Sequence, residues 1–210
     1  MKKILSTILS VVLLFALSVP AFAAAMPSQK EEVVYGMLNP DGGVNNIYVV
    51  NIFDGGEVTD YGSYTKVNNM TTSEKLSQRG DQITVNTTAK KLYYQGTLES
   101  KELPWNVAIK YILNGKEISA AELAGKTGAL KIAISVTKNN KVNSTFYDNY
   151  ALQLTVQLDT KLCENIKADN ATIADAGSKK QINYTVLPGK GADISVTADL
   201  QGRYPSLPMP

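Results

Sequence analysis

Trp105-Asn106-Val107-Ala108-Ile109-Lys110-Tyr111-Ile112-Leu113 and, further on, Leu130-Lys131-Ile132-Ala133-Ile134-Ser135-Val136 decide the fold class. In both stretches the large apolar residues recur at every second position, with Asn106, Lys110, Lys131 and Ser135 among the residues between them. Successive side chains of a strand point to opposite faces, so such a stretch buries one face and wets the other. The same period runs through Tyr150, Leu152, Leu154, Val156 and Leu158, then Ile182, Tyr184 and Val186, then Ile194, Val196, Ala198 and Leu200. Five such strands without long helices predict an all-β fold with antiparallel sheets packed face to face.

The punctuation agrees with this reading. Asn114-Gly115 lies between two apolar runs and suits a type I′ hairpin, whose central residues both need positive φ. Ser119-Ala120-Ala121-Glu122 is a capping box, and Gly125 can end the turn, so one short helix is expected near 119–124. Residues 159–180 are long for a bare loop and are expected to hold one or two minor strands around Ile166 and Ile173. Residues 103–202 therefore read as an immunoglobulin-like β-sandwich of about seven strands.

Residues 31–100 read as a smaller β-rich unit. Strands are expected at Val33 to Leu38, Asn46 to Phe53, Gln82 to Thr87 and Lys91 to Leu98, joined by turns such as Asp54-Gly55-Gly56. A helical turn is expected through Thr72 to Leu76. Pro104 can begin a strand or sit on an edge, which places the boundary near Ser100 to Pro104.

The first segment reads as an address. Lys2 and Lys3 precede an apolar run from Ile4 to Leu17, and small residues follow at Ala21 and Ala23. This is the pattern of a signal peptide over residues 1–25, cut after Ala23 or Ala25. Its removal leaves 19 basic against 19 acidic residues, a formal charge of zero. A neutral surface attracts neither phosphate backbones nor anionic lipid over long range, so no nucleic-acid partner is expected. The expected location is outside the cell, secreted or on the extracellular face of a bacterial envelope.

Composition removes several chemistries. The 210 residues include no histidine and one cysteine, so there is no Ser-His-Asp triad, imidazole metal ligand or internal disulfide. Gly125-Lys126-Thr127 resembles the end of a P-loop, but position 120 is Ala120 and a helix precedes it, so no nucleotide site is expected. Counting twelve from Asp41 in Asn39-Pro40-Asp41-Gly42-Gly43 reaches Ile52 rather than a bidentate Glu, so the segment reads as a turn, with weak calcium binding left open. Cys163 has no histidine to activate it and reads as a small apolar core residue. No catalytic residue, metal ligand or cofactor is expected.

Aromatic residues carry the interaction reading. Trp105, Tyr111, Tyr150 and Tyr184 are in phase with the core, and Tyr94 shares a face with Leu92 and Leu98. Tyr93 then points outward, while Tyr61 and Tyr64 lie in a Gly/Ser segment with no apolar phase. Tyr61, Tyr64 and Tyr93 are the candidate binding residues, because tyrosine offers large contact area at little entropy cost.

The wording from Glu102-Leu103-Pro104-Trp105 through Gly115-Lys116-Glu117-Ile118 to Gly125-Lys126-Thr127-Gly128 resembles a known group, as do Asp148-Asn149-Tyr150 and Tyr184 to Lys190. It is similar to the extracellular N-terminal region of uncharacterised Gram-positive cell-envelope proteins, some grouped with phage-infection-protein-like (YhgE/Pip) membrane proteins. The resemblance covers roughly residues 31–204. It implies an ectodomain without assigned activity, followed in that group by Leu-x-x-Gly heptad repeats and membrane helices. Here the sequence ends in a proline-rich tail, residues 203–210, so membrane attachment would require a further C-terminal segment. The leading expectation is a non-enzymatic binding or scaffold module of the envelope, with a protein or glycan partner. The alternatives are a carbohydrate-binding module using exposed tyrosines and a small secreted glycoside hydrolase with a carboxylate pair, for which Asp54, Glu57 and Asp60 are the candidates.

Overall fold

The computed structural model describes residues 28–202. The leader with its cleavage sites and the proline-rich tail lie outside the described residues. The chain is all-β, with every paired strand antiparallel.

The first sheet contains β1 (Glu31–Leu38), β2 (Val44–Tyr61), β3 (Tyr64–Asn69), β4 (Ser77–Arg79) and β5 (Gln82–Leu98). Its order is β1-β2-β5-β3, with β4 also on β5. One of the expected turns and one expected helix are absent. Asp54-Gly55-Gly56 is a bulge inside β2, and the segment at Thr88 to Lys90 is its counterpart inside β5. Asp54 pairs with Lys91 and Gly56 with Thr87, so Gly55 faces three residues of β5. Such a mismatch bends and twists a hairpin. The two halves of the β2/β5 hairpin close on each other, and Phe53, Leu92 and Tyr94 of one half share a core with Val58, Ile83 and Val85 of the other. Turn-forming residues thus make a corner in a continuous ladder. Residues 72–76 form an irregular segment with one bend, at Ser73, instead of a helical turn, anchored by Asn69, whose Nδ2 donates to the Glu74 carbonyl at 2.9 Å.

The second unit is a sandwich. One sheet has the order β10 (Cys163–Ala168), β13 (Ala192–Gln201), β8 (Thr127–Lys138), β6 (Trp105–Leu113), β7 (Lys116–Ile118). The other has the order β11 (Thr172–Ala176), β12 (Lys179–Val186), β9 (Leu152–Asp159). The period-two stripes meet between them: Ile132, Ile134, Val136 and Val196 from one side pack with Leu154, Ile182 and Tyr184 from the other. Each such side chain contributes about 1.5–3 kcal/mol on burial. Asn114 and Gly115 have φ of 50° and 84°, as a type I′ hairpin requires. The capping box at Ser119 and Glu122 forms, over a 3-10 turn at Ala120–Leu123. β10 and β11 are the two minor strands, which brings this unit to eight strands.

One helix was not foreseen: α1 (Thr145–Asn149), between β8 and β9. It moves Tyr150 out of the core stripe. The Tyr150 N–H closes the helix on the Phe146 carbonyl, and its ring is exposed against Phe146 at a centroid distance of 5.2 Å.

The two core clusters are separate, and the β1–β2 turn joins the units. The β7 strand covers only the last three residues of β6 on that edge. Along the same strand, the Ile109 N–H donates to the Asp41 carbonyl at 3.2 Å, and the Tyr111 hydroxyl donates to the Pro40 carbonyl at 3.0 Å. The Asp41 side chain accepts the Gly43 N–H at 2.9 Å, closing its own turn. The segment weighed for calcium therefore acts as a clip between the units.

Candidate functional site

The structure separates the three candidate tyrosines. Tyr93 is 40% exposed on the outer face of the first sheet, as its phase predicts. Tyr61 is also 40% exposed, at the end of β2, where its hydroxyl accepts a bond from Gln82 Nε2 at 3.3 Å. Tyr64 does not belong to a surface. It is buried, its ring stands edge-on to Tyr94 at 6.3 Å, and its hydroxyl meets Asn51. The Gly/Ser segment gives no periodic signal, but it opens β3, and the closing of the bent hairpin carries Tyr64 inward.

Around Tyr93 the pairing register builds a face that is largely apolar along β1 and β2, with Gln95 and Thr97 of β5 opposite Val50 and Tyr48. Tyr93 lies opposite Ile52, Val33 opposite Val50, and Tyr35 opposite Tyr48. Opposed residues of a ladder share a face. Val33, Tyr35 and Met37 are 41%, 54% and 53% exposed, and Val34, on the other face of β1, is 53% exposed. Among the described residues β1 pairs only with β2, so its outer edge offers free backbone donors and acceptors. Natural sheets usually blunt such an edge with charge, proline or a bulge. Here charge is confined to Glu31 and Glu32 at one end, and one bulge lies at the other, between Met37 and Leu38.

Inside the same unit sits a polar cluster in a core position. Asn51 lies in phase with Val49 and Phe53 and is fully buried, and Asp60 is 1% exposed. Lys30, just before β1, reaches both: its Nζ is 2.9 Å from Asp60 Oδ1 and donates to Asn51 Oδ1 at 3.3 Å. Glu32 Oε1 lies 2.7 Å from the same Nζ. The Tyr94 hydroxyl donates to Asp60 Oδ2, and the Tyr64 hydroxyl accepts from Asn51 Nδ2 at 3.1 Å and donates to Asn51 Oδ1 at 3.3 Å. The Phe53 and Tyr94 rings stack at 5.9 Å beside the cluster. A polar residue in phase with a buried stripe was the available sequence signal, and Asn51 carried it.

Electrostatics keep these hydroxyls neutral. Burial raises the ionisation range of Tyr64, against the opposing pull of Asn51 and Lys30. Burial raises that of Tyr94 strongly, reinforced by the bond to Asp60 and by its charge. Burial lowers Lys30, but its bonds to Glu32 and Asp60 outweigh that and hold the ammonium above the usual range. Both tyrosines bind their protons more tightly folded than unfolded. Their contribution to stability is complete below the unfolded tyrosine range and is lost as pH rises through it toward the folded values. Thermal melts should therefore fall above about pH 10, and fall less steeply in Tyr94→Phe. Equal slopes in the two proteins would contradict this assignment.

The carboxylates proposed for hydrolysis do not converge. Asp54 is exposed and paired with Lys91 at 2.9 Å, Glu57 is exposed, and Asp60 is enclosed by Tyr94 and Lys30. Cys163 is buried in β10, and burial pushes its thiol up, away from the reactive thiolate. Two depressions of about 490 and 260 Å³ lie on the outer face of the larger sandwich sheet, and both are lined by Lys131. They are open troughs floored partly by small residues such as Ala129, Ala133 and Ser195. Comparison with protein-family models, with curated proteins and with solved structures finds no match for this chain.

Proposed function

We propose that the protein is a non-enzymatic binding or scaffold module on the outside of a bacterial envelope, and that it engages an extended polypeptide segment of another envelope protein along β1. The observation that carries this reading is the unpaired edge of β1 beside an uncovered apolar face. An added strand would take its main-chain bonds from that edge and its selectivity from Val33, Tyr35 and Met37, which alternate along it. The formally neutral mature chain fits recognition by shape and apolar contact over charge. We read the sandwich as immunoglobulin-like, since two antiparallel sheets exchange strands over about 100 residues. Its role is to carry the first unit through the Asp41 clip. Export by the leader and membership of the YhgE/Pip-like group rest on the sequence reading and belong to the same proposal.

Photo-crosslinking tests the surface. A photoreactive phenylalanine at Tyr35 or Tyr93, expressed in the producing bacterium, should give one discrete adduct, and the same group at exposed Thr185 should give none. Of Val33→Pro and Val34→Pro, the one whose N–H faces the open edge should abolish the adduct without unfolding the sandwich. Equal labelling from all three positions would defeat the proposal, and an adduct of two copies of this chain would reassign the edge to self-association.

A glycan reading has one observation in its favour, the opposed Tyr35–Tyr48 pair next to Tyr93. Binding on a glycan array that disappears in Tyr35→Ala and Tyr93→Ala would support it.

A further inference from the structure

We infer that Lys30 and Asn51 form an intramolecular amide bond, with Asp60 as the catalytic proton carrier. Three reactive groups meet here, two of them buried from solvent. Lys30 Nζ lies 3.3 Å from Asn51 Oδ1 and 2.9 Å from Asp60 Oδ1. Asn51 is fully buried, Asp60 nearly so, and Phe53, Tyr64 and Tyr94 wall the cluster with aromatic rings. Holding an amine against a carboxamide turns a slow bimolecular reaction into an intramolecular one. A buried carboxylate within reach of the amine supplies acid–base catalysis.

The step balances without any added reagent. Asp60 takes a proton from the Lys30 ammonium. The neutral Nζ attacks Asn51 Cγ, forming the Nζ–Cγ bond, and negative charge develops on Oδ1. The Tyr64 hydroxyl, which already donates to that oxygen at 3.3 Å, stabilises it. Asp60 then gives its proton to Nδ2 as the Cγ–Nδ2 bond breaks, and receives the second proton that Nζ sheds. Ammonia leaves with that proton as ammonium. An ammonium side chain and a carboxamide have become a secondary amide and one ammonium ion, with Asp60 restored and no change of oxidation state.

Condensation of Lys30 with Asp60 is the competing bond, and it is less well prepared. Both Asp60 oxygens are engaged, Oδ1 by Lys30 and Oδ2 by the Tyr94 hydroxyl. Its proton carrier would be Glu32, whose side chain is 45% exposed. The Lys30–Asn51 amide would pin the start of β1 to the middle of β2, closing a loop across 21 positions. A chain with one cysteine has no internal disulfide to do this.

Mass spectrometry of the purified, denatured protein, with its N-terminus determined separately, decides the matter. The expected mass is lower than the sequence mass by one ammonia, and fragmentation should show a branched peptide joining Lys30 to Asn51. Lys30→Arg and Asn51→Ala should each return to the sequence mass, and Lys30→Arg should melt at a lower temperature. The sequence mass in the wild type would overturn the inference, leaving a buried ion pair. Loss of one water with a branch at Asp60 would also overturn it, in favour of the other bond. So would loss of ammonia that persists in Lys30→Arg, which would mark a cyclised residue elsewhere.

Discussion

Gly55→Ala is expected to unfold the first unit and leave the sandwich standing. A Cβ at Gly55 would overlap the Ala89 carbonyl oxygen and lie 2.8 Å from the carbon that bears it. Both atoms are backbone, in the partner strand of the bulge, so no side chain can swing aside. The corner would have to open, and Phe53, Leu92 and Tyr94 would part from Val58, Ile83 and Val85. The expected loss is more than about 4 kcal/mol, the range reserved for changes that break a core or a special backbone site. Gly56→Ala is the measured contrast. Gly56 has φ +106° with open space around it, so its cost is backbone strain alone, about 1–3 kcal/mol. The single tryptophan separates the units spectroscopically, because Trp105 begins β6 and packs near Tyr147 at 6.3 Å. Far-UV circular dichroism of Gly55→Ala should lose amplitude at low temperature while Trp105 fluorescence melts near the wild-type midpoint. A single transition at the wild-type midpoint in both signals would show that the corner tolerates a side chain.

The same corner marks where the sequence stopped being readable. The sandwich was legible because its long strands bury one face, so Val107, Ile132, Leu154, Ile182 and Val196 declare their orientation through period two alone. Asn114-Gly115 and the Ser119–Glu122 box were legible because their chemistry is local. Asp54-Gly55-Gly56 was misread for the same reason: it is turn chemistry, and only the partner strand reveals that the ladder continues through it. Tyr64 carries no local signal of burial because its partners, Asn51 and Tyr94, arrive through tertiary closure. The α1 helix has only five residues, too few for a helical period, and it takes Tyr150 out of the stripe that begins there by period. The outer face of the first sheet was legible at Tyr93, whose neighbour Tyr94 fixed its direction. The remainder of that face was not, since Val33 to Met37 read as an ordinary strand and its lack of a second neighbour is a property of the sheet.

Asp60→Ala is the second large effect, and its partners show how the cost is distributed. Removing one member of a buried charged pair typically costs about 3–5 kcal/mol. Lys30 has a route out, because its side chain is 24% exposed and Glu32 already holds it at 2.7 Å. Tyr94 has none: it is fully buried, and its hydroxyl would lose the carboxylate that accepts its proton. Tyr94 should therefore account for much of the loss. Tyr94→Phe alone should cost about 1–3 kcal/mol, and the double variant should cost less than the sum of the two, with a coupling of about 0.5–3 kcal/mol. Strictly additive losses in denaturant melts followed by circular dichroism would place the cost with Lys30 instead. Asp60→Asn divides packing from chemistry. Its amide oxygen can still accept the Tyr94 proton, so the first unit should stay folded, with a melting temperature lowered as in Lys30→Arg, but a carboxamide cannot take a proton from an ammonium. A folded Asp60→Asn protein at the full sequence mass would then assign bond formation to the Asp60 carboxylate. The same loss of ammonia in that variant would remove Asp60 from the reaction while leaving its place in the core unchanged.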